Sequence, residues 1–321
     1  MSGVRLLDVT LRDVASVNEW RFTDEQITAV AGAIDAAGYD FLEVGYFVPS
    51  RQLAGEDRTG PGVCDPDYLR RVCSGLRHAR PAVMVRMSDV PLPSLRELAA
   101  AGVALVRLPI HPHEVKQTAD YIAACHDLSI RVSVNLIFLS QRSIEDVVTT
   151  AAVAQQVGAD VFCVADTLSG LLPEQAAAFV SAAKRELSIP LGFHAHDGLR
   201  CAFANALAAV RAGAEIIDSS LGGMGSGGAN LMTELIAAYA VREWNRDIDM
   251  AAICRVTATH LRQWVNGDIA TTIEAALAGL LNLNTRERVA AKETAAQAGV
   301  SLLEHLSSVL RMRAGIACAG A

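Results

Sequence analysis

The feature that most constrains the fold is a repeated alternation of short apolar segments, rich in β-branched residues, with longer alanine-rich segments of helical periodicity. Several helical segments end in a glycine, as in Ala36-Ala37-Gly38 and Ala100-Ala101-Gly102. A glycine there ends a helix in the left-handed conformation and returns the chain to the next strand. The eight predicted strands are Val4–Thr10, Phe41–Phe47, Val83–Met87, Ala104–Leu108, Val132–Phe138, Val161–Ala165, Pro190–Ala195 and Ile216–Ser219.

The number of strands predicts an α/β fold that closes into a (β/α)8 TIM barrel. Strands that alternate with helices form a parallel sheet with right-handed crossovers. Eight such units of about 30 residues give the roughly 250 residues that are typical of this barrel. A doubly wound open sheet is the alternative, but no Gly-x-Gly-x-x-Gly segment follows the first strand. We therefore predict a barrel over residues 1–247.

The last part of the chain, residues 248–321, is predicted to contain helices alone. Apolar residues recur there at spacings of three and four, which is typical of amphipathic helices. Such an extension either covers one side of the barrel or forms a dimer or partner surface. The predicted helices are Ile273–Leu281, Arg286–Ala298 and Leu302–Met312.

Composition narrows the class of protein. The 321 residues are 51% hydrophobic with a formal net charge of −7, so the chain has no electrostatic footprint for nucleic acid or an anionic membrane. No segment approaches the roughly 18 consecutive apolar residues of a membrane span. Seven cysteines without a Cys-x-x-Cys pair, and no recognisable signal peptide, predict reduced thiols. A soluble cytoplasmic protein is expected.

The active site of a TIM barrel lies at the C-terminal ends of its strands, and this rule selects candidate residues without any motif. The selected positions are rich in carboxylate, imidazole and guanidinium groups. A set of oxygen and nitrogen ligands without thiolate suits Mg²⁺ or Mn²⁺. On ligand type alone, such a set could also bind Zn²⁺ or Fe²⁺. The selected residues include Arg12, Asp13, Glu43, Tyr46, Arg86, Arg107, His111, Asn135, Asp166, His194, His196 and Asp218.

Two histidines one residue apart, His194 and His196, stand at the end of the seventh predicted strand. Side chains at i and i+2 of a strand point to the same face, so both imidazoles can form half of a metal site. Asp13, after the first strand, offers a third ligand and would leave coordination positions open, as in catalytic metal sites. The alternative is two histidines bonded to backbone carbonyls and an aspartate that caps a helix.

The glycine-rich segment 222–228 after the eighth strand has two interpretations. Its backbone N–H groups could cradle a phosphate, as glycine-rich loops commonly do. The other interpretation is a mobile lid, and glycine content alone does not choose between them.

The segment Asp8-Val9-Thr10-Leu11-Arg12-Asp13 resembles the D-x-T-L-R-D signature of the metal-dependent carbon–carbon lyase and synthase superfamily. This superfamily includes hydroxymethylglutaryl-CoA lyases, isopropylmalate and homocitrate synthases, and 4-hydroxy-2-oxovalerate aldolases. The segment from His194 to Ala214 resembles its second signature, and Gly227-Gly228-Ala229-Asn230 continues it. The resemblance covers about residues 4–240, implies the barrel fold as well, and is greatest to the oxovalerate aldolases.

The resemblance implies the roles of individual residues. A divalent Mn²⁺ or Mg²⁺ would bind a small 2-oxo acid and stabilise its enolate while a carbon–carbon bond breaks or forms. Arg12 would place a second positive charge at the developing oxyanion. Glu43 and Asp166 would hold Arg12 or a metal ligand in place. The implied ligands are Asp13, His194 and His196, with Asn230 as a fourth in some members.

The sequence departs from the family pattern where proton transfer is expected. Oxovalerate aldolases have a catalytic histidine three residues after the ligand aspartate, and this chain has Ser16 there. They also use a tyrosine from their C-terminal helices, and here no tyrosine follows Tyr239. Serine near its free pKa is a poor general base, so the candidates for its replacement are Glu19, His111 and a metal-bound water.

The expected function is that of a divalent-metal-dependent aldolase, which cleaves or forms a 4-hydroxy-2-oxo acid through a metal-stabilised pyruvate enolate. One alternative is a Claisen-type acyltransferase that condenses an acyl-CoA with a 2-oxo acid. Another is a non-catalytic barrel that keeps the metal site for binding. A homo-oligomer is expected, and the resemblance also implies an acylating aldehyde dehydrogenase partner at the helical extension.

Overall fold

The computed structural model describes residues 3–52, 60–226, 229–265, 274, 277–279 and 281–313. Eight parallel strands follow one another in sequence order around a closed barrel, and the last strand pairs with the first. The predicted TIM barrel is therefore confirmed. The strands are β1 (Arg5–Asp8), β2 (Phe41–Tyr46), β3 (Arg80–Met84), β4 (Leu105–Ile110), β5 (Arg131–Leu136), β6 (Val161–Asp166), β7 (Leu191–Ala195) and β8 (Ile216–Ser219).

Helices connect the strands and surround the barrel, and within the described ranges none is long and apolar enough to cross a bilayer. At the end of one of them, Gly213 has a φ of 115°, the left-handed conformation expected of a glycine that ends a helix. The helices are α1 (Thr10–Asp13), α2 (Ala15–Asn18), α3 (Asp24–Ala36), α4 (Pro66–Gly75), α5 (Leu95–Ala100), α6 (Thr118–Asp127), α7 (Ile144–Gln156), α8 (Pro173–Glu186), α9 (Ala202–Ala212), α10 (Thr233–Trp244), α11 (Met250–Val256), a π-helix (Thr257–Leu261), α12 (Arg262–Val265), α13 (Thr285–Gln297) and α14 (Leu302–Arg313).

The inside of the barrel changes from apolar to charged along the strands. Alternate residues of a strand face the same side, so Glu43 lies on the face of Phe41 and Arg107 on the face of Leu105. Charged side chains therefore form the layer beneath the C-terminal mouth, where Glu43 and Arg107 are buried. The apolar cluster below this layer contains Leu7, Val9, Phe41, Ala82, Leu105, Val161 and Ile216.

Most strands differ from the predicted ones by one to three residues at an end, and β1 and β3 are examples. β1 ends at Asp8 instead of Thr10, because the Asp8 side chain accepts a hydrogen bond from the Thr10 N–H at 2.9 Å and the chain turns into α1. Asp13 consequently lies at the end of a one-turn helix. β3 begins at Arg80, which pairs with Phe41, and it ends at Met84.

The C-terminal helices pack beside the loops that follow β5 and β6. Asn282 accepts a hydrogen bond from the Ser140 hydroxyl at 2.8 Å, and Arg288 donates one to the Leu168 carbonyl at 3.4 Å. The predicted helices Arg286–Ala298 and Leu302–Met312 correspond to α13 and α14. The predicted helix Ile273–Leu281 lies largely outside the described residues, and the division of the chain at residue 247 stays a prediction.

Replacing Asp35 with asparagine is expected to destabilise the barrel by about 2 kcal/mol at pH 7. Asp35 lies in the last turn of α3 and accepts backbone N–H bonds from Arg77 (3.0 Å), His78 (2.8 Å) and Ala79 (2.8 Å), which fix the entry to β3. Burial raises the pKa of this carboxyl, but the three donors outweigh burial and leave its pKa below the ordinary value.

Folding lowers the pKa of Asp35. Its contribution to the free energy of unfolding is therefore fully present above the unfolded pKa of about 4, and it is lost as the pH falls through the folded pKa. The difference in free energy of unfolding between the wild type and Asp35→Asn should therefore be smaller at pH 3 than at pH 7. Chemical denaturation measures both, with the exposed Asp127→Asn as the control. An equal difference at the two pH values would contradict the assignment.

Candidate metal and substrate site

Arg12 and Asp13 occupy the C-terminal mouth of the barrel, where the short helix α1 buries both side chains. The Arg12 Nε donates to Oε2 of Glu43 at 2.7 Å, and its Nη1 donates to the Asp13 carboxylate. The indole N–H of Trp20 donates to the Arg12 carbonyl at 2.8 Å and holds the backbone of this turn. The guanidinium is thus fixed between two carboxylates.

His194 and His196 reach the same mouth from the end of β7, and both are buried. The Nδ1 of His194 lies 3.0 Å from Oδ2 of Asp218, and the Nδ1 of His196 lies 2.6 Å from the Ser226 carbonyl. A carbonyl only accepts, and the ionised carboxylate also only accepts, so each Nδ1 carries the ring proton. Each Nε2 therefore presents an unprotonated lone pair.

The two lone pairs and the Asp13 carboxylate converge on one point. The Nε2 atoms of His194 and His196 are 3.2 Å apart, and Oδ2 of Asp13 is 3.8 Å from the His194 Nε2. One ligand atom from each of the three residues lies within 4.8 Å of the others. Three acceptors with no proton between them are the arrangement that a divalent cation satisfies, so the donor set fits a metal.

The pKa values of His196 and Asp13 agree with this arrangement. Burial, reinforced by the neighbouring His194, lowers the pKa of His196 to about 4, so its imidazole is neutral. Burial raises the pKa of Asp13, but Arg12 and the two histidines outweigh burial and leave that pKa below its ordinary value. A neutral imidazole and an ionised carboxylate are the forms in which His196 and Asp13 would bind a metal.

Asn230 lies beside His196 through an isolated antiparallel bridge between the two residues. Its Nδ2 donates to Oδ2 of Asp13 at 2.6 Å, and its buried Oδ1 has no hydrogen-bond partner among the described residues. Asn230 therefore orients Asp13 and offers a free oxygen at the site. Gly225 leaves the room that this amide needs, because a Cβ atom there would lie 2.2 Å from the Asn230 Nδ2.

A layer of buried charges supports the site from below. Oε2 of Glu43, which accepts from Arg12, also lies 3.3 Å from Nη1 of Arg107, and Nη2 of Arg107 donates to Oδ2 of Asp218 at 2.5 Å. Asp218 also accepts a hydrogen bond from His194, so a chain of ion pairs that ends in this hydrogen bond joins Arg12 to a candidate metal ligand. Although burial raises the pKa of Asp218, Arg107 and His194 leave that pKa below its ordinary value.

A cavity of about 670 Å³ opens above these groups, and its lining includes Arg12, Asp13, His194 and His196. Tyr46 lies beneath two guanidinium groups, 5.9 Å from that of Arg12 and 4.7 Å from that of Arg86. Thr285, the first residue of α13, also lines the cavity. The C-terminal segment therefore contributes to the wall of the site, which periodicity alone does not indicate.

The structure corrects the expectation for Asp166, which it does not bring to Arg12 or to a candidate ligand. Its two oxygens accept N–H bonds from Gly170 at 3.0 Å and Leu171 at 3.2 Å, so it closes its own loop after β6. Burial raises the pKa of this carboxyl to about 7. Because these nearby N–H groups bind the carboxylate, the Asp166 side chain is not part of the cavity lining.

The candidate proton-transfer residues lie in different places. Ser16 belongs to α2, and its side chain lies outside what the structure describes. Glu19 is exposed, forms an ion pair with Arg21, and lines a separate surface cavity. His111 lines the same cavity as the candidate ligands.

The glycine-rich segment does not present a free phosphate cradle at its beginning. The Gly222 N–H donates to the Glu234 carboxylate at 2.9 Å, and the Gly223 N–H donates to the Ser220 carbonyl at 3.0 Å. A carboxylate therefore occupies a donor that an anion would need. Residues 227 and 228 lie outside the described part of the chain.

Comparison with known sequences places the chain in an enzyme family. The family model HMGL-like matches residues 3–259. A 4-hydroxy-2-oxovalerate aldolase from Moorella thermoacetica is 32% identical over 236 residues, which cover 73% of this chain and 69% of the relative. The 4-hydroxy-2-oxovalerate aldolase 2 of Nocardia farcinica is 32% identical over 249 residues, which cover 77% of this chain and 71% of the relative.

Solved structures share the fold at lower identity. The N-terminal domain of a candidate aldolase from Bacteroides vulgatus superposes with a TM-score of 0.77 and 22% identity, covering 88% of this chain and 95% of that one. The carboxyl transferase domain of Rhizobium etli pyruvate carboxylase, determined with pyruvate, gives a TM-score of 0.73 at 19% identity. It covers 95% of this chain and 55% of that one.

The closed barrel and the buried acceptors at its C-terminal mouth define a metal-dependent TIM-barrel enzyme. The sequence matches then give the family. The chain belongs to the HMGL-like family, whose enzymes depend on a divalent metal, and it is a lyase of the aldolase type.

Replacing Gly225 with alanine is expected to weaken Mn²⁺ binding by about 10- to 100-fold, the usual effect of disturbing a group that orients a ligand. The new Cβ would lie 2.2 Å from the Asn230 Nδ2 and would displace this amide from Asp13. Titration calorimetry measures the affinity. Gly75→Ala is the matched control, because a Cβ there meets nothing within 4 Å. Equal affinities in both variants would exclude the role assigned to Asn230.

Proposed function

We propose that this enzyme cleaves or forms a 4-hydroxy-2-oxo acid through the enolate of pyruvate. The observation that carries the proposal is the convergence of Asp13, His194 and His196 directly beside the buried guanidinium of Arg12. A cation and a guanidinium at one point suit a reaction that places negative charge on a single oxygen. The oxovalerate aldolases among its relatives support the same class of substrate.

Asp13, His194 and His196 are proposed to hold the metal, and Asn230 offers a fourth oxygen. Mn²⁺ or Mg²⁺ suits the carboxylate and amide oxygens, and Mn²⁺ also accepts imidazole nitrogen. The metal, when bound, supplies Lewis-acid polarisation of the 2-oxo group. Asp218 and the Ser226 carbonyl keep both imidazoles oriented with their Nε2 atoms toward the site.

Arg12 is proposed to face the oxygen on which the enolate charge develops. Its Nε and Nη1 groups are engaged by Glu43 and Asp13, so Nη2 is the remaining donor group. Glu43 and Asp13 fix the plane of the guanidinium before the substrate binds. A donor that is already oriented stabilises developing charge without reorganisation during the reaction.

The assembly and location of the enzyme are also proposals. Val289, Val300 and Met312 expose 54%, 42% and 60% of their surface in the C-terminal segment, which supports association into a homo-oligomer. A cytoplasmic location accords with the free thiols of the described cysteines. An aldehyde dehydrogenase partner stays a prediction of the family resemblance.

The function is tested with chelator-treated enzyme and 4-hydroxy-2-oxovalerate, with pyruvate release followed by lactate dehydrogenase. Activity should return when Mn²⁺, Mg²⁺ or Co²⁺ is added, because the metal must polarise the 2-oxo group. Asp13→Asn should lose at least about 100-fold in kcat, since the carboxylate ligand becomes neutral. Absence of pyruvate with all three metals would refute the proposal. Release of CoA thiol from an acyl-CoA and a 2-oxo acid would indicate Claisen chemistry instead.

Replacing Arg12 with lysine is expected to lower kcat by about 10²- to 10³-fold, the effect of removing one preorganised donor from an oxyanion. The ammonium keeps the charge but cannot contact Glu43, Asp13 and the substrate with a planar fork of donors. Steady-state kinetics with saturating Mn²⁺ measure the change, and the exposed Arg96→Lys serves as control. A variant that keeps more than about a tenth of the wild-type kcat would contradict this role.

A further inference from the structure

We propose that His111 is a neutral hydrogen-bond donor to the acceptor half of the substrate, a specific role that rests on the proposed function. Its Nε2–H would bind the oxygen on C4, which is a hydroxyl in the 4-hydroxy-2-oxo acid and the carbonyl oxygen of the released aldehyde. His111 would keep its proton throughout the reaction. It would orient and polarise this oxygen without acting as the general base.

His111 stands at a different part of the cavity wall from the candidate metal ligands. It follows β4, whereas Asp13 follows β1 and the paired histidines end β7, yet all of them line one cavity. A 2-oxo acid held at Asp13 would have its C4 end within this cavity, whose lining also includes Ile137 and Phe138 from the loop after β5. The wall formed by the loops after β4 and β5 is therefore available to the acceptor half.

The hydrogen bond between Arg142 and His111 decides which ring nitrogen carries the proton. Nη2 of Arg142 lies 2.8 Å from Nδ1 of His111. A guanidinium can only donate, so Nδ1 accepts and the proton of the neutral ring is on Nε2. With Nδ1 engaged, Nε2–H is the remaining polar group of the ring. In this tautomer the imidazole can donate to a substrate oxygen but cannot take a proton from it at Nε2.

The surroundings of His111 favour the neutral ring. Burial lowers its pKa, the charge of Arg142 and the neighbouring His113 lower it further, and only Glu114 opposes them. The net effect places this pKa below the ordinary value, so the ring is neutral at neutral pH. A neutral imidazole with a lowered pKa is known to polarise substrate carbonyls in other barrels, as in triosephosphate isomerase.

The ring orientation is held by stacking. The imidazole lies nearly parallel to the ring of Phe138, with centroids 5.5 Å apart, and nearly parallel to that of His113, at 5.7 Å. Phe138 has a left-handed backbone with a φ of 58°, a strained conformation for a non-glycine residue. Its N–H donates to the Thr167 hydroxyl at 2.9 Å, which helps to maintain that conformation.

Two other polar side chains of the same wall are engaged by protein groups. Oε2 of Glu114 accepts the His111 backbone N–H at 2.7 Å. The Tyr121 hydroxyl lies 2.7 Å from the Met87 carbonyl and 2.6 Å from the Val90 carbonyl, to which it donates. The Nε2–H of His111 is thus a donor of this wall that remains for substrate.

A matched pair of amide variants tests the proposal. In His111→Asn the amide oxygen can still accept from Arg142, but no donor reaches the former position of Nε2. In His111→Gln the longer side chain can place an amide N–H near that position. Neither amide can act as a base. His113→Asn is the control, because His113 contacts the same ring from an exposed position.

Two reactions separate the donor role from the enolate chemistry: cleavage of 4-hydroxy-2-oxovalerate, and exchange of the pyruvate methyl protons in D2O followed by mass spectrometry. Exchange forms the enolate without an acceptor oxygen. Cleavage by His111→Asn should fall about 10²-fold or more in kcat/KM, while His111→Gln should stay within about tenfold of the wild type. Both variants should exchange deuterium at a rate close to that of the wild type.

Other outcomes would overturn the proposal. If both amide variants lose cleavage activity equally, His111 transfers a proton. If deuterium exchange falls in parallel with cleavage, His111 acts on the enolate instead of on the acceptor oxygen. Full cleavage by His111→Asn, or by His111→Phe if the asparagine variant does not fold, would exclude a donor role. A wild type that neither cleaves nor exchanges would instead refute the proposed function, and this inference with it.

Discussion

The site depends on a chain of buried ion pairs that runs beneath the mouth of the barrel. Arg12 is joined to Glu43, Glu43 to Arg107 and Arg107 to Asp218, and the Asp218 carboxylate accepts a hydrogen bond from His194. Removing one member would leave a buried charge unpaired, which typically costs about 3–5 kcal/mol. Together with Asp13, the chain has one more carboxylate than guanidinium groups, so a divalent cation above it is favoured electrostatically.

The barrel stabilises this charged layer because its interior excludes water below the layer. Above the layer, the cavity stays open to a substrate. The apolar cluster that includes Leu7 and Phe41 fills the lower interior, and the charged layer begins one inward position further along the strands. Fixed charges act strongly in such a water-poor site. The loops after β4 and β5, together with Thr285, then shape the cavity in which a substrate would lie.

Much of the candidate site could be predicted from the sequence, and the exceptions have physical causes. The paired histidines and Asp13 follow from strand periodicity and from the rule that places sites at strand ends. The same rule also selects Asp166, but two N–H groups of its own loop bind the carboxylate and hold it away from Arg12. Gly222 belongs to a glycine-rich segment, yet its N–H is already paired with Glu234.

The sequence by itself determined the barrel and the identity of the convergent groups, because strand periodicity and local motifs are properties of neighbouring residues. Only the tertiary structure decided how those groups are protonated and oriented. The tautomers of His194, His196 and His111 depend on Asp218, Ser226 and Arg142, which lie 24 to 31 residues away along the chain. Asn230 reaches Asp13 across 217 residues. Such contacts arise only when the barrel closes, so no local pattern could encode them.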